Sequence, residues 1–505
     1  MPDIVLATIN ARYVHASLGL RYLMANLGEL RPRAKILEFV SGARTEDLVE
    51  RILAETPAVL GLGVYIWNVD ESTRLVAQLR RVAPELRIVV GGPEVSHETA
   101  EQRICALADH VITGPGDLSF AGLCHQLLDG PRPLTKVIAG TQPELSALEL
   151  PYDLYSDEDV RQRFLYVEAS RGCPFKCEFC LSALDRTAWP FDLDRLLEQL
   201  SGLYLRGARR FKFVDRTFNL KTATGLAILG FFLDRLSAAP GDPVFAHFEL
   251  VPDHLPQALR DAIREFPPGT LQFEIGIQTW NPQVQALISR RQDNERAAQN
   301  IAWLVSETQA HLHVDLIAGL PGEDLESFGE GFDRLVSLRP HEIQVGILKR
   351  LRGAPIARHT DAFGLRFNPD PPYNVLATDT ISFARMQRVA RFARYWDLFA
   401  NSGRFRRTLP LLLGERPFER FMAFSDWIFG RTDATNQLSL ERQFELARGW
   451  LLEASDAAPA QIDSGLLDDY VACGARGRPA FLDRGLSGAP DRPRAGPRRQ
   501  ARHLA

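Results

Sequence analysis

Three cysteines stand within eight residues of one another in this chain, at Cys173, Cys177 and Cys180. The chain has only six cysteines in its 505 residues. A cubane cluster of four irons and four sulfides is normally held by four thiolates. A tight group of three with no fourth partner nearby therefore predicts a [4Fe-4S] cluster with one iron left open to bind a substrate or a cofactor.

Two simpler interpretations of these cysteines are disfavoured. A structural zinc site needs four closed ligands, and the chain has no histidine between His125 and His247. A disulfide framework is also disfavoured, because Cys105, Cys124 and Cys473 are scattered singly and no secretory signal opens the chain. We interpret those three as ordinary buried or loop thiols.

The composition is that of a globular protein. Hydrophobic residues make up 45% of the chain and charged residues 24%, and the length is enough for about three domains. The net charge of -4 does not indicate a surface that binds nucleic acid. No apolar stretch reaches membrane-spanning length. We therefore expect a cytoplasmic protein with no membrane and no nucleic-acid partner.

The last segment departs from this average. Residues 474–505 contain eight Arg and two Asp, with repeated Pro and Gly. Such a composition predicts a disordered basic tail. The tail is either a solvated appendage or a contact site for RNA or an acidic partner.

The first 150 residues alternate short apolar runs with amphipathic helical patterns. This alternation predicts the βαβ units of a doubly wound, flavodoxin-like (Rossmann-like) α/β domain. The predicted strands are residues 4–8, 34–39, 59–64, 87–91 and 110–113. Predicted helices between them include residues 18–30 and 69–82.

Ligands bind such a sheet beyond the carboxyl ends of its strands, where the loops gather. The loops here are residues 10–15, 65–68, 91–94 and 114–117. Glycines in the last two let the backbone approach a large flat ligand closely. Because no G-x-G-x-x-G motif follows the first strand, the pattern favours a ligand other than a nicotinamide or flavin dinucleotide.

A longer strand–helix repeat begins near residue 161. Its six predicted strands are residues 165–170, 210–214, 244–249, 271–276, 312–317 and 343–348. Predicted helices between them include residues 193–205, 225–236, 294–308 and 325–338. Six such units predict a partial (β/α)6 TIM-type barrel with its working residues at the carboxyl ends of the strands. The three-cysteine loop directly follows the first of these strands.

The C-x3-C-x2-C motif after the first barrel strand, with Phe179 before the last cysteine, resembles the radical S-adenosylmethionine (SAM) superfamily. The resemblance implies that the open iron chelates the amino and carboxylate groups of SAM and that the cluster donates one electron into its sulfonium. Cleavage then gives methionine and a 5′-deoxyadenosyl radical, which abstracts hydrogen from unreactive carbon. The resemblance also implies a low-potential electron donor, such as flavodoxin or ferredoxin.

Residues at later strand ends match SAM-binding positions of this superfamily. The resemblance implies contacts by Phe179, by Asp215 near the methionine amino group, by Glu274 and Gln278 at the ribose, by Arg290 at the carboxylate and by Ile317 on adenine. A helix cap is an alternative for Asp215, an exposed helix arginine for Arg290 and plain core for Ile317. Glu274 is either a ligand contact or paired, because burying an unpaired carboxylate is costly.

The first 150 residues, taken with this motif, resemble the cobalamin-binding domain that precedes the catalytic domain in B12-dependent radical SAM proteins. The strand order and residues 91–94 and 114–117 carry the resemblance. It implies that cobalamin contacts Thr8, Asn10, Tyr65, Gly91, Gly92, Pro93 and Gly114.

One departure concerns the cobalt ligand. Many cobalamin proteins carry a D-x-H-x-x-G motif whose histidine binds cobalt, and the loop after the first strand offers only His15 with Gly19 four residues on. We interpret His15 as a hydrogen-bonded loop histidine. Relatives in the radical SAM superfamily commonly leave the lower face of cobalt without a protein histidine, so the departure does not exclude cobalamin.

The resemblance narrows to a subgroup of B12-domain radical SAM proteins whose substrates are largely unassigned. This resemblance depends on residues 10–23, 167–184, 213–219 and 315–356, and it extends over residues 1–470. Residues 368–473 are helical by pattern, with Leu and aromatic residues at helical spacing in 381–401 and 438–454. This segment either closes the open side of the barrel and shapes the substrate pocket or buries its aromatic stripe as core alone.

Five segments are therefore predicted. They are a cobalamin-binding domain (1–135), a linker (136–160), a radical SAM partial barrel (161–367), a helical C-terminal domain (368–473) and the basic tail (474–505). The resemblance implies a radical SAM enzyme with cobalamin as its second cofactor. Such an enzyme methylates or rearranges an unreactive carbon of an unknown substrate.

Two alternatives belong to other classes. A tRNA methylthiotransferase also joins an N-terminal α/β domain to this barrel, but its N-terminal domain carries three cluster cysteines. Only Cys105 and Cys124 precede the barrel here. A noncatalytic iron–sulfur or zinc-binding module does not need six barrel units with polar residues at the strand ends.

Overall fold

The computed structural model describes residues 1–131, 133–185, 187–474 and 499–504. The chain divides into two compact units. The first comprises Met1–Glu249, Lys349–Arg358 and Asn368–Asn374. The second comprises Leu250–Leu348, His359–Phe367 and Val375–Ala505.

The first unit begins with a six-stranded sheet in which all neighbouring strands are parallel. The strands are β1 (Ile4–Asn10), β2 (Ala34–Val40), β3 (Val59–Gly63), β4 (Arg87–Gly91), β5 (His110–Thr113) and β6 (Val137–Ala139). The helices among them are α1 (Leu18–Ala25), α2 (Thr45–Leu53), α3 (Val69–Val82), α4 (Arg103–Leu107) and α5 (Ser119–Asp129). The order β2-β1-β3-β4-β5-β6 confirms the predicted doubly wound sheet, with its topological switch point between β1 and β3.

Hydrophobic cores cover both faces of this sheet. Ala7 and Ile9 of β1 lie in a core that includes Leu75 of α3. Leu6 lies in the opposite core, together with Leu20 of α1. Because successive strand residues point to opposite faces, a strand that is buried on both faces must be apolar throughout. This explains the unbroken apolar runs in the sequence.

A sixth strand extends the sheet beyond the five predicted strands. β6 pairs in parallel with β5, with Val137 opposite Val111. Part of residues 136–160, predicted to be a linker, is therefore sheet. The strand escaped prediction because its apolar run, Val137–Ala139, is only three residues long.

The first unit continues with the first strands of the barrel repeat. The elements are α6 (Asp157–Gln162), β7 (Leu165–Val167), β8 (Ser170–Arg171), β9 (Trp189–Pro190), α7 (Leu193–Leu205), β10 (Arg210–Phe213), α8 (Thr222–Ala238) and β11 (Phe245–Leu250). β10 pairs in parallel with β7 on one side and with β11 on the other. The antiparallel pair β8 and β9 brackets the three-cysteine loop.

The second unit carries the later strands of the repeat. Its elements are α9 (Gln257–Arg264), β12 (Leu271–Gln278), α10 (Pro282–Leu287), α11 (Asn294–Glu307), β13 (His311–Ala318), α12 (Leu325–Ser337), β14 (Glu342–Ile347), β15 (Arg366–Phe367) and β16 (Val375–Ala377). β13 pairs in parallel with β12 and β14. Each unit thus carries three strands of the repeat, with helices between them, which are the elements of the predicted (β/α)6 arrangement.

The rest of the second unit is helical, as predicted. Its helices are α13 (Phe383–Phe399), α14 (Leu409–Leu413), α15 (Pro417–Thr432), α16 (Leu440–Ala454), α17 (Pro459–Ala472) and α18 (Arg499–Leu504). The aromatic stripe of α13 is core: Phe392 is fully buried, and its ring lies 5.0 Å from Phe332 and 5.2 Å from Phe421. Aromatic pairs of this kind add stability beyond the apolar area they bury.

The predicted basic tail falls mostly outside the described residues, which exclude 475–498 and 505. Within it, α18 is a helix where disorder was predicted. Arg499 of α18 pairs with Glu342 at 2.7 Å and with Asp397 at 2.7 Å. Among the described residues, no helix is long and apolar enough to cross a membrane.

Short 3-10 helices complete the described secondary structure. They lie at Gly28–Arg33, Pro93–Val95, Thr99–Glu101, Leu145–Ala147, Tyr152–Leu154, Leu181–Leu184 and Pro355–His359.

Candidate active site

The three cysteines occupy the loop that follows β8. Cys177 is buried, and Cys173 and Cys180 are half-buried. The backbone N–H of Cys173 donates to the carbonyl oxygen of Asp185 at 2.8 Å, which closes the loop. Gly172 precedes the first cysteine with a φ of +87°, and a Cβ there would lie 2.9 Å from Cγ of Asp185. Glycine is therefore required at the base of the loop.

The three cysteines are the donor set that a [4Fe-4S] cluster with one open iron would use. Burial raises the pKa of the Cys173 thiol, and the nearby thiols of Cys180 and Cys177 raise it further. In the described part of the chain, no group of three or more His, Cys, Asp or Glu is arranged to hold a metal ion. A cubane cluster would bind each of the three thiolates through a different iron. Its irons would stabilise the ionised thiols that burial and repulsion disfavour.

Asp215 follows β10 and holds the base of the cysteine loop. Its side chain is buried and accepts hydrogen bonds from the Ala169 N–H at 2.9 Å and from the Ser170 hydroxyl at 2.6 Å. Burial is the main cause that raises the pKa of Asp215 to about 7, against the opposing effect of these hydrogen bonds. Asp215 is not a helix cap, because α8 begins at Thr222 with Lys221 in the cap position.

Arg171 connects the cysteine loop with the loop after β5. Its guanidinium donates to Glu168 at 2.9 Å and to Asp117 at 3.0 Å, and it lies 4.5 Å from the ring centroid of Tyr22. Burial raises the pKa of Glu168, and the charge of Arg171 opposes that shift. Arg171 stands two residues before Cys173. The ion pairs therefore fix the entry to the cysteine loop.

A cavity of about 330 Å³ opens at the carboxyl ends of β3, β4 and β5. Leu20 and Leu23 of α1, Ile112 of β5 and Phe120 of α5 form apolar parts of its wall, and Arg171 also lines it. Cofactor sites are usually concave, mostly apolar pockets of this size, with a few polar groups that fix orientation. The cavity lies where a doubly wound sheet binds its ligand.

Four of the seven predicted cobalamin contacts line this cavity, namely Tyr65, Gly91, Gly92 and Gly114. The other three, Thr8, Asn10 and Pro93, lie outside the lining that the described residues form. The Thr8 hydroxyl donates to the Gly63 carbonyl oxygen at 2.8 Å, and the Asn10 amide donates to Glu38 at 2.9 Å. Both side chains are thus hydrogen-bonded to other residues of the protein at the end of β1.

Glycines around the cavity are required by its geometry. Gly92 has a φ of +112°, and a Cβ there would lie 2.5 Å from the carbonyl oxygen of Val64. Gly61 lies within β3, and a Cβ there would lie 2.6 Å from Cζ of Phe120. The backbone approaches closely at both places because no side chain intervenes. The shape of the cavity therefore depends on these glycines.

His15 is the hydrogen-bonded loop histidine that the sequence indicated. Its Nδ1 atom lies 2.7 Å from the hydroxyl of Tyr166. Burial lowers the pKa of His15, and the charge of Lys212 lowers it further. The ring is therefore neutral near pH 7 and engaged with Tyr166.

Of the predicted SAM contacts, Glu274, Gln278, Arg290 and Ile317 lie in the second unit. Gln278 ends β12 with a φ of +69° beside a register shift, and a Cβ on Gly276 would lie 2.2 Å from its Nε2 atom. Arg290 follows α10, is half-buried and donates to the Gly276 carbonyl oxygen. The structure thus brings Gln278 and Arg290 together at Gly276, and Arg290 is not an exposed helix arginine.

The remaining predicted SAM contacts are half-buried. Glu274 lies on the less buried face of β12, where it has an interaction partner, and Ile317 lies on the corresponding face of β13. Phe179 is half-buried beside Cys180 in the first unit.

A buried carboxylate in the second unit, Glu323, escaped the sequence analysis. Its side chain is 2% exposed, and Oε1 accepts from the Thr279 hydroxyl at 2.5 Å. Oε2 has no hydrogen-bond partner among the described residues. Burial raises the pKa of Glu323 to about 7. Its position directly after Gly322, at the end of the motif in residues 315–322, is the signal that could have found it.

Family models match three successive parts of the chain. The model described as "B12 binding domain" matches residues 4–124. The model described as "Radical SAM superfamily" matches residues 167–335. A third, described as "Protein of unknown function (DUF4080)", matches residues 361–489.

The chain spans about half the length of the curated relatives it matches. It is 29% identical over 238 residues to the "Uncharacterized methyltransferase PH0819" of Pyrococcus horikoshii, over 42% of this chain and 51% of that protein. It is 26% identical over 363 residues to the cobalamin-dependent radical SAM methyltransferase TokK of Streptomyces tokunonensis, over 63% of this chain and 51% of that protein. It is 25% identical over 207 residues to the ribosomal protein uS12 methylthiotransferase RimO of Pelobacter propionicus, over 39% of this chain and 45% of that protein.

A solved structure matches nearly the whole chain. The cobalamin-dependent S-adenosylmethionine radical enzyme OxsB, solved with aqua-cobalamin and S-adenosylmethionine bound, aligns with a TM-score of 0.59 at 14% identity, over 93% of this chain and 79% of that chain. This likeness confirms the predicted fold class. With a B12-binding domain at residues 4–124 and a radical SAM domain at residues 167–335, the chain is a radical SAM protein with an N-terminal B12-binding domain.

Proposed function

We propose that the protein is a cobalamin-dependent radical SAM methyltransferase that acts on an unreactive carbon of an unidentified substrate. One observation carries the proposal. The apolar cavity and the cysteine loop lie in the same compact unit, and Arg171 both lines the cavity and stands two residues before Cys173. The methyltransferase names of two matched relatives, PH0819 and TokK, support this type of reaction.

The cysteine loop provides the cluster ligands in this proposal. The thiolates of Cys173, Cys177 and Cys180 hold the [4Fe-4S] cluster and leave one iron for SAM. When bound, the cluster, SAM and cobalamin supply the electron, the radical precursor and the methyl carrier. Asp215 acts as a positioning residue, since it accepts two hydrogen bonds from the base of the loop.

We propose Phe179, Gln278 and Arg290 as SAM contacts. Phe179 stands beside the last cysteine, and Gln278 and Arg290 meet at the carbonyl oxygen of Gly276. An arginine that is already hydrogen-bonded to the backbone is pre-organised to meet a carboxylate. Glu274 and Ile317 complete the set, the first for the ribose hydroxyls and the second for adenine.

The cobalamin contacts are proposed at the glycine-lined cavity. Gly91, Gly92 and Gly114 bring backbone close to the ligand, and Tyr65 adds an aromatic side chain. The Tyr65 ring stacks on Trp67 with the centroids 4.4 Å apart and the planes 8° from parallel. Such a flat aromatic pair provides a rigid apolar surface for a macrocycle. Thr8 and Asn10, also predicted contacts, are hydrogen-bonded within the protein at the end of β1, and Pro93 stays a prediction.

The reduction potentials of iron–sulfur clusters cover a wide range, and the reduction of a sulfonium requires the lower end of that range. The reaction therefore needs an electron donor of low potential. A flavodoxin or a ferredoxin meets this requirement. We propose one of these two as the partner.

The methylthiotransferase alternative is disfavoured by where the N-terminal cysteines lie. Cys105 lies in the core on one face of the N-terminal sheet, and Cys124 lies in the core on the other face. Two thiols separated by a sheet cannot ligate one cluster.

Anaerobic purification followed by cofactor analysis tests the proposal. We expect about four irons and one corrinoid per chain, and 5′-deoxyadenosine formation when SAM and a strong reductant are added. Cys177→Ala should abolish 5′-deoxyadenosine formation, whereas Cys124→Ala, which removes a buried thiol outside the loop, should retain it. Iron without corrinoid would overturn the methyltransferase proposal. SAM cleavage at the wild-type rate in Cys177→Ala would overturn the radical mechanism.

A further inference from the structure

The segment Lys349–Arg358 follows β14 in the chain but belongs to the first compact unit. We call this segment the strap. Gly353 in the strap has a φ of +81°, and a Cβ there would lie 2.3 Å from Cγ of His97. The strap therefore packs tightly against the loop that follows β4.

One end of the strap is held by carboxylates that follow Gly92 of the cavity lining. The Arg352 guanidinium donates to Glu94 at 3.0 Å and to Glu98 at 2.6 Å. Glu94 is 4% exposed and also accepts from the Tyr373 hydroxyl at 2.6 Å. Removal of one member of a buried, hydrogen-bonded charge pair is costly, so this end is firmly attached.

The other end of the strap contacts the cysteine loop. Glu178 stands between Cys177 and Cys180, and its carbonyl oxygen accepts from the Ile356 N–H at 2.9 Å. The Arg358 guanidinium donates to both oxygens of the Glu178 carboxylate, with Nε at 2.8 Å. The Glu178 side chain is 4% exposed. The strap thus joins the loop of the cavity to the loop of the cysteines.

We propose that the strap is a positioning element for two cofactors. It holds the cysteine loop at a fixed spacing from the loop that lines the corrinoid cavity, and its Arg358–Glu178 pair sets the charge beside the cluster. The inference rests on the proposed function, because it takes cluster and corrinoid to occupy these two loops.

The Glu178 carboxylate gives the pair an electrostatic role as well as a structural one. It adds a negative charge to a loop that already carries three thiolates. The potential of an iron–sulfur cluster depends on the net charge around it, so a negative charge that lacks a partner makes reduction harder. Arg358 offsets this charge through two parallel hydrogen bonds, the strongest geometry for a guanidinium and a carboxylate.

A double-mutant cycle on the reconstituted cluster tests the electrostatic role. At a fixed reductant potential, Arg358→Ala should lower the ratio of reduced to oxidised cluster roughly threefold to tenfold, because a positive charge is lost. Glu178→Gln should raise the ratio, and the double variant should return it close to the wild-type value. The ratio is measured by electron paramagnetic resonance of the reduced cluster.

A purely structural role predicts a different pattern. Both single variants would then shift the ratio of reduced to oxidised cluster in the same direction, and the double variant would shift it furthest. That result would overturn the electrostatic part of the proposal. Arg358→Lys keeps the charge and should keep the ratio, which protects the test against misfolding of Arg358→Ala. Arg416→Ala, which breaks an exposed ion pair with Glu419, serves as the matched control and should leave the ratio unchanged.

A second experiment tests the fixed spacing. Two glycines inserted after Gly353 leave Arg352, Arg358 and their partners in place but remove the tight connection between them. With the cluster reduced and cobalamin in its paramagnetic Co(II) form, the spin–spin coupling of the wild type should broaden or vanish in the insertion variant. If the insertion leaves the spin–spin coupling unchanged, the proposal that the strap fixes the spacing of the two loops is wrong.

Failure of the strap and failure of the proposed function are distinguishable, because neither experiment needs turnover. If no corrinoid binds, the methyltransferase proposal fails while the charge cycle is still measured. If methyl transfer is found and the cycle shows no charge effect, only the strap inference fails.

Discussion

The loops at the carboxyl ends of β3, β4 and β5 differ in kind from the loops at the ends of the later strands. The first group surrounds an apolar cavity with glycines, and its buried carboxylates Glu94 and Asp117 are each paired with an arginine. The later loops carry Asp215 and Glu323, whose pKa values burial raises to about 7.

The difference teaches how each region is specialised. A large flat ligand needs space, and glycine creates space by leaving out side chains. A cluster and a sulfonium cofactor need ligands and charges, and buried charges need partners. Added atoms should therefore damage the first region, and altered charges should damage the second.

Loss of the Arg171 charge is expected to have the largest effect on stability. Arg171→Ala leaves Glu168 and Asp117 buried without the cation that pairs with them, since their side chains are 9% and 10% exposed. The free energy of unfolding should fall by about 4 kcal/mol. Urea denaturation of the cluster-free protein measures the change.

The matched control is Arg33→Ala. Arg33 pairs with Asp3 at 2.6 Å, but both side chains are 42% exposed, so the loss should stay below about 1 kcal/mol. Equal losses in Arg171→Ala and Arg33→Ala would contradict the view that buried charge organises the entry to the cysteine loop.

Glu323 should make stability depend on pH. Its pKa is about 7 in the folded protein against an ordinary 4.5, so the folded state binds the proton more tightly. By linkage, the free energy of unfolding should fall as the pH rises from 4.5 to 7, by about 3 kcal/mol at most. Glu323→Gln removes this loss and should be the more stable protein at pH 8 but not at pH 4.5. The free energy of unfolding is measured by urea denaturation at each pH. If it changes with pH in the same way in the wild type and in Glu323→Gln, this prediction is wrong.

The sequence predicted the parts of this comparison that depend on local patterns. β4, β5 and α3 begin and end where their apolar and amphipathic runs predict, and the cysteine motif and the glycine loops are local as well. Arg171–Asp117 and Arg352–Glu94 escaped prediction because their partners lie 54 and 258 residues apart. Only the folded chain brings such partners together. The burial of Glu323 also depends on distant packing, so its position after Gly322 marks the residue but does not indicate its raised pKa.

Gly92 and Gly91 form a matched pair for the glycine region. Gly92→Ala places a Cβ 2.5 Å from the Val64 carbonyl oxygen at a φ of +112°, whereas the nearest atom to a Cβ on Gly91 is 3.6 Å away. Gly92→Ala should lower the free energy of unfolding by about 2 kcal/mol, and Gly91→Ala should stay within about 1 kcal/mol. Thermal unfolding of the cofactor-free protein compares them. If the two variants melt together, backbone strain at Gly92 is not what shapes the cavity.

Filling the cavity should give the smallest effect and the most specific one. A Cβ on Gly116 would lie 3.4 Å from Cδ2 of Leu23, an ordinary contact, so Gly116→Val should fold. Its methyl groups enter the cavity of about 330 Å³ and remove space from the ligand. Hydroxocobalamin should bind about tenfold more weakly, a change of about 1.4 kcal/mol, which absorption titration measures. The iron content and the reduced-cluster spectrum should stay as in the wild type, because no charge near the cysteine loop changes. Corrinoid affinity that is unchanged in Gly116→Val would place the cofactor elsewhere, and a parallel loss of iron would show that the two regions are not specialised separately.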